Sequence, residues 1–326
     1  MKVRKDVFPD TRGGLRSREP RPSGESIPPL FLVFTDLDGT LLDHDTYEWE
    51  AAVPALEQCK KKGIPVILVS SKTRAEIEVL RCRMGLSAPF ISENGGGIFF
   101  PRETFADPPP EAFPAGNTPS PFKPGGRGID SPADAGLWQI SLGVSYPCLV
   151  KALKAIRREL NRNIRGFSDM AVEEIARLTG LNKEEARWAA MREYDEPFII
   201  EAGEPDDLVP LHRAAGKRGL LITAGGRFYH LQGKNDKAAA MEWVAAWYRT
   251  GHGDVTSIAL GDSPNDFAML ERADIPVLIR SQHTFPDLKQ RIPRLRISEQ
   301  SGPAGWNAAL LSILSQNGEK VHEPGV

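Results

Sequence analysis

Continuous apolar runs alternate with stretches of helical period in two separate blocks of this chain. Leu30 to Phe34 is apolar at every position and predicts a strand buried on both faces. Pro54 to Gly63 has Pro near a helix start, lysines in the last turn and Gly just past the end. Ile64 to Val69 is a second buried strand. From Thr73 to Met84, the side chains Ile77, Leu80 and Met84 line one helical face, which Gly85 ends. Pro89 to Ser92 reads as a third strand. This order predicts a parallel sheet with right-handed crossovers. The rhythm returns late, with a helix over 236–248, a strand over 257–260, a helix over 267–273 and a strand over 276–279.

The pattern between the blocks is different. Residues 101–136 are dense in Pro and Gly and read as an exposed insertion. Leu137 to Leu142 alternates like a half-buried strand, and 147–160 and 170–178 read as helices. Asn182 with Glu185 forms a capping box that opens another helix. Phe198 to Ile200 is a strand. The runs 220–224 and 227–231 flank Gly225-Gly226, a two-residue hairpin signal. Antiparallel strands mixed with helices predict a separate α+β unit, with Trp138, Trp188, Tyr194 and His230 as packing residues. The expected division is a disordered tail at 1–29, an α/β core of the Rossmann-like parallel-sheet type at 30–100 and 233–318, the insertion at 101–136, and an inserted α+β domain at 137–232.

Composition narrows the class. The 326 residues are 40% hydrophobic and 26% charged, as in ordinary globular domains, and suffice for about two of them. A net charge of −2 lacks the basic excess of a nucleic-acid binder. No apolar run approaches a membrane span, so neither nucleic acid nor membrane is an expected partner. Cys59, Cys82 and Cys148 are scattered without a metal or redox spacing, which fits a reducing, cytoplasmic setting. The pattern leaves the oligomeric state open.

Chemistry concentrates where buried strands end, the place where open α/β sheets bind ligands. Asp36 and Asp38 leave the first strand, and Asp262, Asn265 and Asp266 leave a later one. Carboxylates brought that close repel unless a cation sits among them, and hard oxygen donors suit Mg²⁺. Ser70 ends the second strand and Lys237 opens a helix, which supplies a hydroxyl and a cation.

Taken in order, Asp36-Leu37-Asp38-Gly39-Thr40, Ser70, Lys237 and Gly261-Asp262 with Asn265-Asp266 resemble the four signatures of the haloacid dehalogenase superfamily. A domain inserted between the second and third signatures resembles the subfamily with a large α+β cap. Val69 to Arg74, Glu93 to Gly96, Gly166 to Met170, Arg192 to Phe198 and Gly226 to Leu231 resemble the mannosyl-3-phosphoglycerate phosphatase family within it. Ala238 stands where that resemblance leads one to expect Gly.

The resemblance implies a Mg²⁺-dependent phosphatase acting on a small phosphorylated sugar-glycerate. Asp36 would be the nucleophile that forms an aspartyl-phosphate, and Asp38 the general acid and base. Asp36, Asp262 and the carbonyl of Asp38 would hold Mg²⁺. Ser70 and Lys237 would bind phosphoryl oxygens, and Asn265 and Asp266 would support the loop. Asn94 and Gly95 would touch substrate, and Arg192 and Arg227 would read the glycerate carboxylate. Glucosyl-3-phosphoglycerate and sucrose 6-phosphate are alternative substrates. A phosphomannomutase and a non-enzymatic phosphosugar sensor are alternative roles.

Overall fold

The structure, a computed structural model, describes residues 30–115, 136–201, 207–224 and 227–316. The expected tail, most of the expected insertion and Gly225-Gly226 lie outside the described residues. The first part of the chain forms β1 (Leu30–Thr35), α1 (Val53–Lys61), β2 (Val66–Val69), α2 (Arg74–Arg83), β3 (Phe90–Ser92), β4 (Gly97–Pro101), β5 (Phe113–Pro114) and β6 (Leu137–Ser141). The middle forms α3 (Tyr146–Leu160), β7 (Ile164–Gly166), α4 (Val172–Thr179), α5 (Lys183–Ala189), β8 (Asp195–Ile200), α6 (Val209–Gly216), β9 (Leu221–Ala224) and β10 (Tyr229–Gln232). The last part forms α7 (Lys237–His252), β11 (Val255–Gly261), α8 (Phe267–Arg272), β12 (Ile275–Arg280), α9 (Pro286–Arg291), β13 (Arg296–Ser301) and α10 (Gly302–Gln316).

The core sheet has the order β13-β12-β11-β1-β2-β3-β4-β6-β5. Neighbours are parallel from β13 through β3, and β4, β6 and β5 extend the sheet antiparallel. Alternation explains the unbroken apolar runs. Leu32 and Phe34 share one apolar layer with Ile67, Val69 and, from α7, Met241 and Val244. Val33 shares the opposite layer with Val66, Leu68, Ala55 of α1 and Leu310 of α10. With helices on both faces, no position of β1 before Thr35 can be polar without an internal partner. Thr35 has one, accepting a hydrogen bond from the Trp306 indole at 2.9 Å.

The second sheet is antiparallel, in the order β7-β8-β10-β9. One of its faces packs against α3 and α6 through Leu149, Leu153, Ile156, Leu211, Ile222 and Leu231. This is the α+β cap. Asn182 caps α5 as expected, accepting from the backbone of Glu184 and Glu185.

Three expectations are corrected here. Leu137–Ser141, expected to open the cap, pairs with Gly97–Pro101 in the core sheet. A period of two identifies a strand but not the sheet that will receive it. Trp138 and Tyr194 therefore serve the core rather than the cap. Trp138 donates to the Phe105 carbonyl at 3.0 Å, and Tyr194 is buried with Phe99 and Leu137. In the hairpin, Ala224 pairs with Tyr229, so Arg227 precedes the strand instead of belonging to it.

Candidate active site

The site is built at the carboxyl ends of β1, β2 and β11. The Asp36 N–H donates to the Leu260 carbonyl at 2.9 Å, so the β1–β11 ladder holds its backbone. The chain then turns through Gly39 at φ +75°, where a Cβ would stand 2.7 Å from Oδ2 of Asp262. Only glycine combines that backbone with so close a passage over the carboxylate. Thr40 donates its hydroxyl to Oδ1 of Asp262 at 3.3 Å.

Lys237 is the first residue of α7, behind its cap Asp236, which accepts from the Ala239 N–H at 2.7 Å. The ammonium group is 1% exposed and lies 2.5 Å from Oδ1 of Asp36 and 2.7 Å from Oδ1 of Asp266. Those two carboxylates hold Lys237 protonated against its burial and raise its pKa. Burial raises the pKa of Asp36 well above the ordinary carboxylate range, and Lys237 opposes it only in part. Asp262 is pushed up to about 6 by burial and then by the charge of Asp266. Asp266 is fully buried. Its Oδ2 accepts from the N–H groups of Asp262 and Ser263 at 3.1 and 3.2 Å, so it shapes the loop. Ala238, where the resemblance leads one to expect Gly, is fully buried in the apolar layer shared with Met241 and Val244.

Carboxylate oxygens of Asp36, Asp262 and Asp266 lie within 4.8 Å of one another. The donors are hard oxygens without His or Cys, a set that fits Mg²⁺ and disfavours zinc. Asp266 is already committed to Lys237 and the loop backbone, which leaves Asp36 and Asp262 as available donors. Asp38 turns its carboxylate toward Lys72, whose ammonium stands 3.0 Å away and 5.2 Å above the Tyr47 ring.

A cavity of about 650 Å³ opens above this group and reaches the cap. Its floor is Asp36, Asp38, Lys237 and Asp262, and Asn94 and Asn265 stand at one side. Those two side chains meet, with Asn265 donating to Asn94 at 3.4 Å. Leu221, Thr223, His230 and Gln232 of the cap form the roof.

Other expected residues do not reach the cavity wall. The hydroxyl of Ser70 is buried and accepts from the Lys72 N–H at 3.1 Å, and its neighbour Ser71 lines the cavity instead. Gly95, at φ +91°, packs where a Cβ would collide with the Asp236 carbonyl at 2.2 Å, so it brings α7 close to the β3 turn. The Arg192 side chain is 9% exposed, with its guanidinium donating to the carbonyls of Ala189 and Ser71 at 2.9 and 3.0 Å and pairing with Asp195 at 3.3 Å. Arg227 donates to the Leu178 carbonyl at 2.9 Å, at the end of α4. Both arginines join backbone segments, and neither is placed as a carboxylate reader facing the cavity.

The sequence reading placed Lys72 and Glu93 inside motifs without giving either a role of its own, passed over Gln232 and Asn235, and took His230 for a packing residue. Glu93 ties cap to core. Its buried carboxylate accepts from the N–H groups of Glu193 and Tyr194 at 2.9 and 2.8 Å. Burial pushes its pKa up to about 8, against the nearby charge of Arg192. Its signal was the run Glu93-Asn94-Gly95, an acid inside a turn, and the first two residues adopt φ of +46° and +54°. Non-glycine residues accept that conformation only where surrounding structure compensates for the strain.

Comparison with known proteins adds the following. A family model described as haloacid dehalogenase-like hydrolase matches residues 33–107. A glucosyl-3-phosphoglycerate/mannosyl-3-phosphoglycerate phosphatase from Methanococcoides burtonii is 39% identical over 288 residues, 88% of this chain and 98% of the relative. A relative of the same description from Persephonella marina is 38% identical, over 87% of this chain and 97% of its own. Among solved structures, a Thermoplasma acidophilum protein aligns with a TM-score of 0.60 at 20% identity, over 88% of this chain and 99% of its own.

Proposed function

The chain belongs to the haloacid dehalogenase-like hydrolases, and we propose that it is a Mg²⁺-dependent phosphatase of mannosyl-3-phosphoglycerate and glucosyl-3-phosphoglycerate. The observation that carries the reaction is the floor of the cavity, where Asp36, Asp38, Lys237 and Asp262 converge beneath a space large enough for a small phosphosugar. The substrate reading is supported by two relatives whose names state both esters and which align over nearly their whole lengths.

In this reading Oδ2 of Asp36 attacks phosphorus while Lys237 holds Oδ1. A P–O bond to Asp36 forms, and the bond to the sugar-glycerate oxygen breaks. Asp38 gives that departing oxygen its proton. Asp38 then takes a proton from water, whose oxygen attacks phosphorus and releases Asp36 and inorganic phosphate. Lys72 keeps the Asp38 carboxylate aimed between the two tasks. Asp36, Asp262 and the carbonyl of Asp38 would hold Mg²⁺, which would favour the ionised carboxylates and draw the phosphate toward them. The cap's covering of the floor limits the entry of bulk water.

The test is phosphate release from mannosyl-3-phosphoglycerate, glucosyl-3-phosphoglycerate, sucrose 6-phosphate and mannose 1-phosphate, each with Mg²⁺ and with excess EDTA. The expected result is release from the first two, and only with the metal. Transfer of the phosphoryl group within mannose 1-phosphate without release would support a mutase instead.

A further inference from the structure

We propose that the roof of the cavity is a sugar-hydroxyl site, in which His230, Gln232 and Thr223 receive the glycosyl part of the ester rather than its carboxylate; this rests on the phosphatase reading above.

The roof follows from register. In β10, His230 and Gln232 are two apart and share a face, while Tyr229 and Leu231 point the other way into the cap's apolar layer. In β9, Thr223 pairs with His230, and Leu221 pairs with Gln232. Paired residues point to the same side, so these four form one compact patch. All four line the cavity opposite Asp36 and Asp38.

Chemistry then selects the ligand group. Nδ1 of His230 lies 2.7 Å from the carboxylate of Asp195, which Arg192 also contacts. With Nδ1 turned to that carboxylate, Nε2 is the ring nitrogen left to meet whatever enters the cavity. Gln232 is 6% exposed, and its Oε1 has no hydrogen-bond partner among the described residues. Oδ1 of Asn235, at the cavity edge, is likewise unpartnered, while its amide nitrogen holds the Glu93 carbonyl at 3.3 Å. Acceptors left without a protein donor on a cavity wall suit a ligand that brings donors. Sugar hydroxyls do so, whereas an ionised carboxylate brings none. Leu221, 43% exposed, supplies an apolar surface beside these groups for the C–H face of a sugar ring.

The test is a ratio of two substrates. kcat/KM for mannosyl-3-phosphoglycerate is divided by kcat/KM for 3-phosphoglycerate, which has the phosphate and carboxylate but no sugar. Wild type is compared with Gln232→Leu, His230→Ala and Thr223→Val, each checked by thermal unfolding. The ratio is expected to fall by at least about 10-fold in Gln232→Leu and His230→Ala and by less in Thr223→Val. A ratio unchanged in every folded variant overturns the roof site and leaves the phosphatase reading standing. A wild type that does not prefer the glycosylated ester overturns the substrate reading and, with it, the glycosyl contact.

Discussion

The floor and the roof of the cavity are built on opposite plans. The floor is ionic, and its charged side chains contact one another. Lys237 bridges Asp36 and Asp266, Asp262 takes the Thr40 hydroxyl, and Asp38 takes Lys72. The roof faces the cavity with Thr223, His230, Gln232 and Leu221, and Oε1 of Gln232 lacks a partner among the described residues. A preformed charged floor suits one invariant phosphoryl group. A roof with an open acceptor suits a ligand that completes it, and so can discriminate between esters. In the proposed reading the floor carries reaction chemistry and the roof carries choice of substrate.

The largest break in that division is Asp36→Asn. It should reduce phosphate release to the limit of detection for every ester alike, because removing a nucleophile costs far more than removing one contact, on the order of 10⁴-fold or beyond. Circular dichroism should show the fold retained. Substantial turnover would remove Asp36 from its role.

Next in size is Arg192→Ala, an effect on stability. Arg192 and Asp195 are buried together, with side chains 9% and 1% exposed. Removing one partner of a buried pair typically costs about 3–5 kcal/mol. Denaturant unfolding should show a loss of that order, with loss of the cap's ordered contacts to Ser71. A stable variant that loses only activity toward the glycerate esters would restore Arg192 as a carboxylate reader.

The aspartates of the floor were legible in the sequence because they sit on short loops directly after apolar strands. Asp36-x-Asp38 and Asp262 with Asp266 are local patterns, and sheet topology alone brings their strands together. The core strands were legible for the same reason, since burial on both faces leaves unbroken apolar runs. The roof was not legible. His230 reads the same whether its face packs inward or lines a cavity, and only the pairing of Thr223 with His230 reveals the patch. The expectation for Arg227 came from its chemistry, which fits a carboxylate, while the structure holds its guanidinium at the carbonyl end of α4. Nor does alternation in Leu137–Ser141 tell which of the two sheets it joins.

A smaller effect tests the joint between the two regions. Glu93 has a folded pKa of about 8, above the ordinary glutamate value. Its contribution to stability is therefore fully present below the ordinary value and is lost as pH rises through about 8. The groups facing it are Arg192 and Asp195. The melting temperature should fall by several degrees between about pH 6 and pH 9. In Glu93→Gln the fall should flatten. An identical pH profile in the variant would assign the dependence to other groups.

The smallest expected effect is that of Arg227→Ala. Its guanidinium donates to a helix-terminal carbonyl on the exposed side of the cap. kcat/KM should change by no more than about twofold for glycerate esters and for p-nitrophenyl phosphate, since exposed contacts of this kind contribute little. A selective loss for the glycerate esters would bring Arg227 back to the substrate.

The assignment of chemistry to the floor is tested most directly by trapping its covalent state. In Asp38→Asn, p-nitrophenyl phosphate has a leaving group good enough to depart without an acid, while no base remains to activate water. After an acid quench of that variant with Mg²⁺ and p-nitrophenyl phosphate, the peptide containing Asp36 is weighed. The account predicts a gain of one phosphoryl group on that peptide. An unmodified peptide from enzyme that has released p-nitrophenolate, or a phosphoryl group on a different residue, would contradict it.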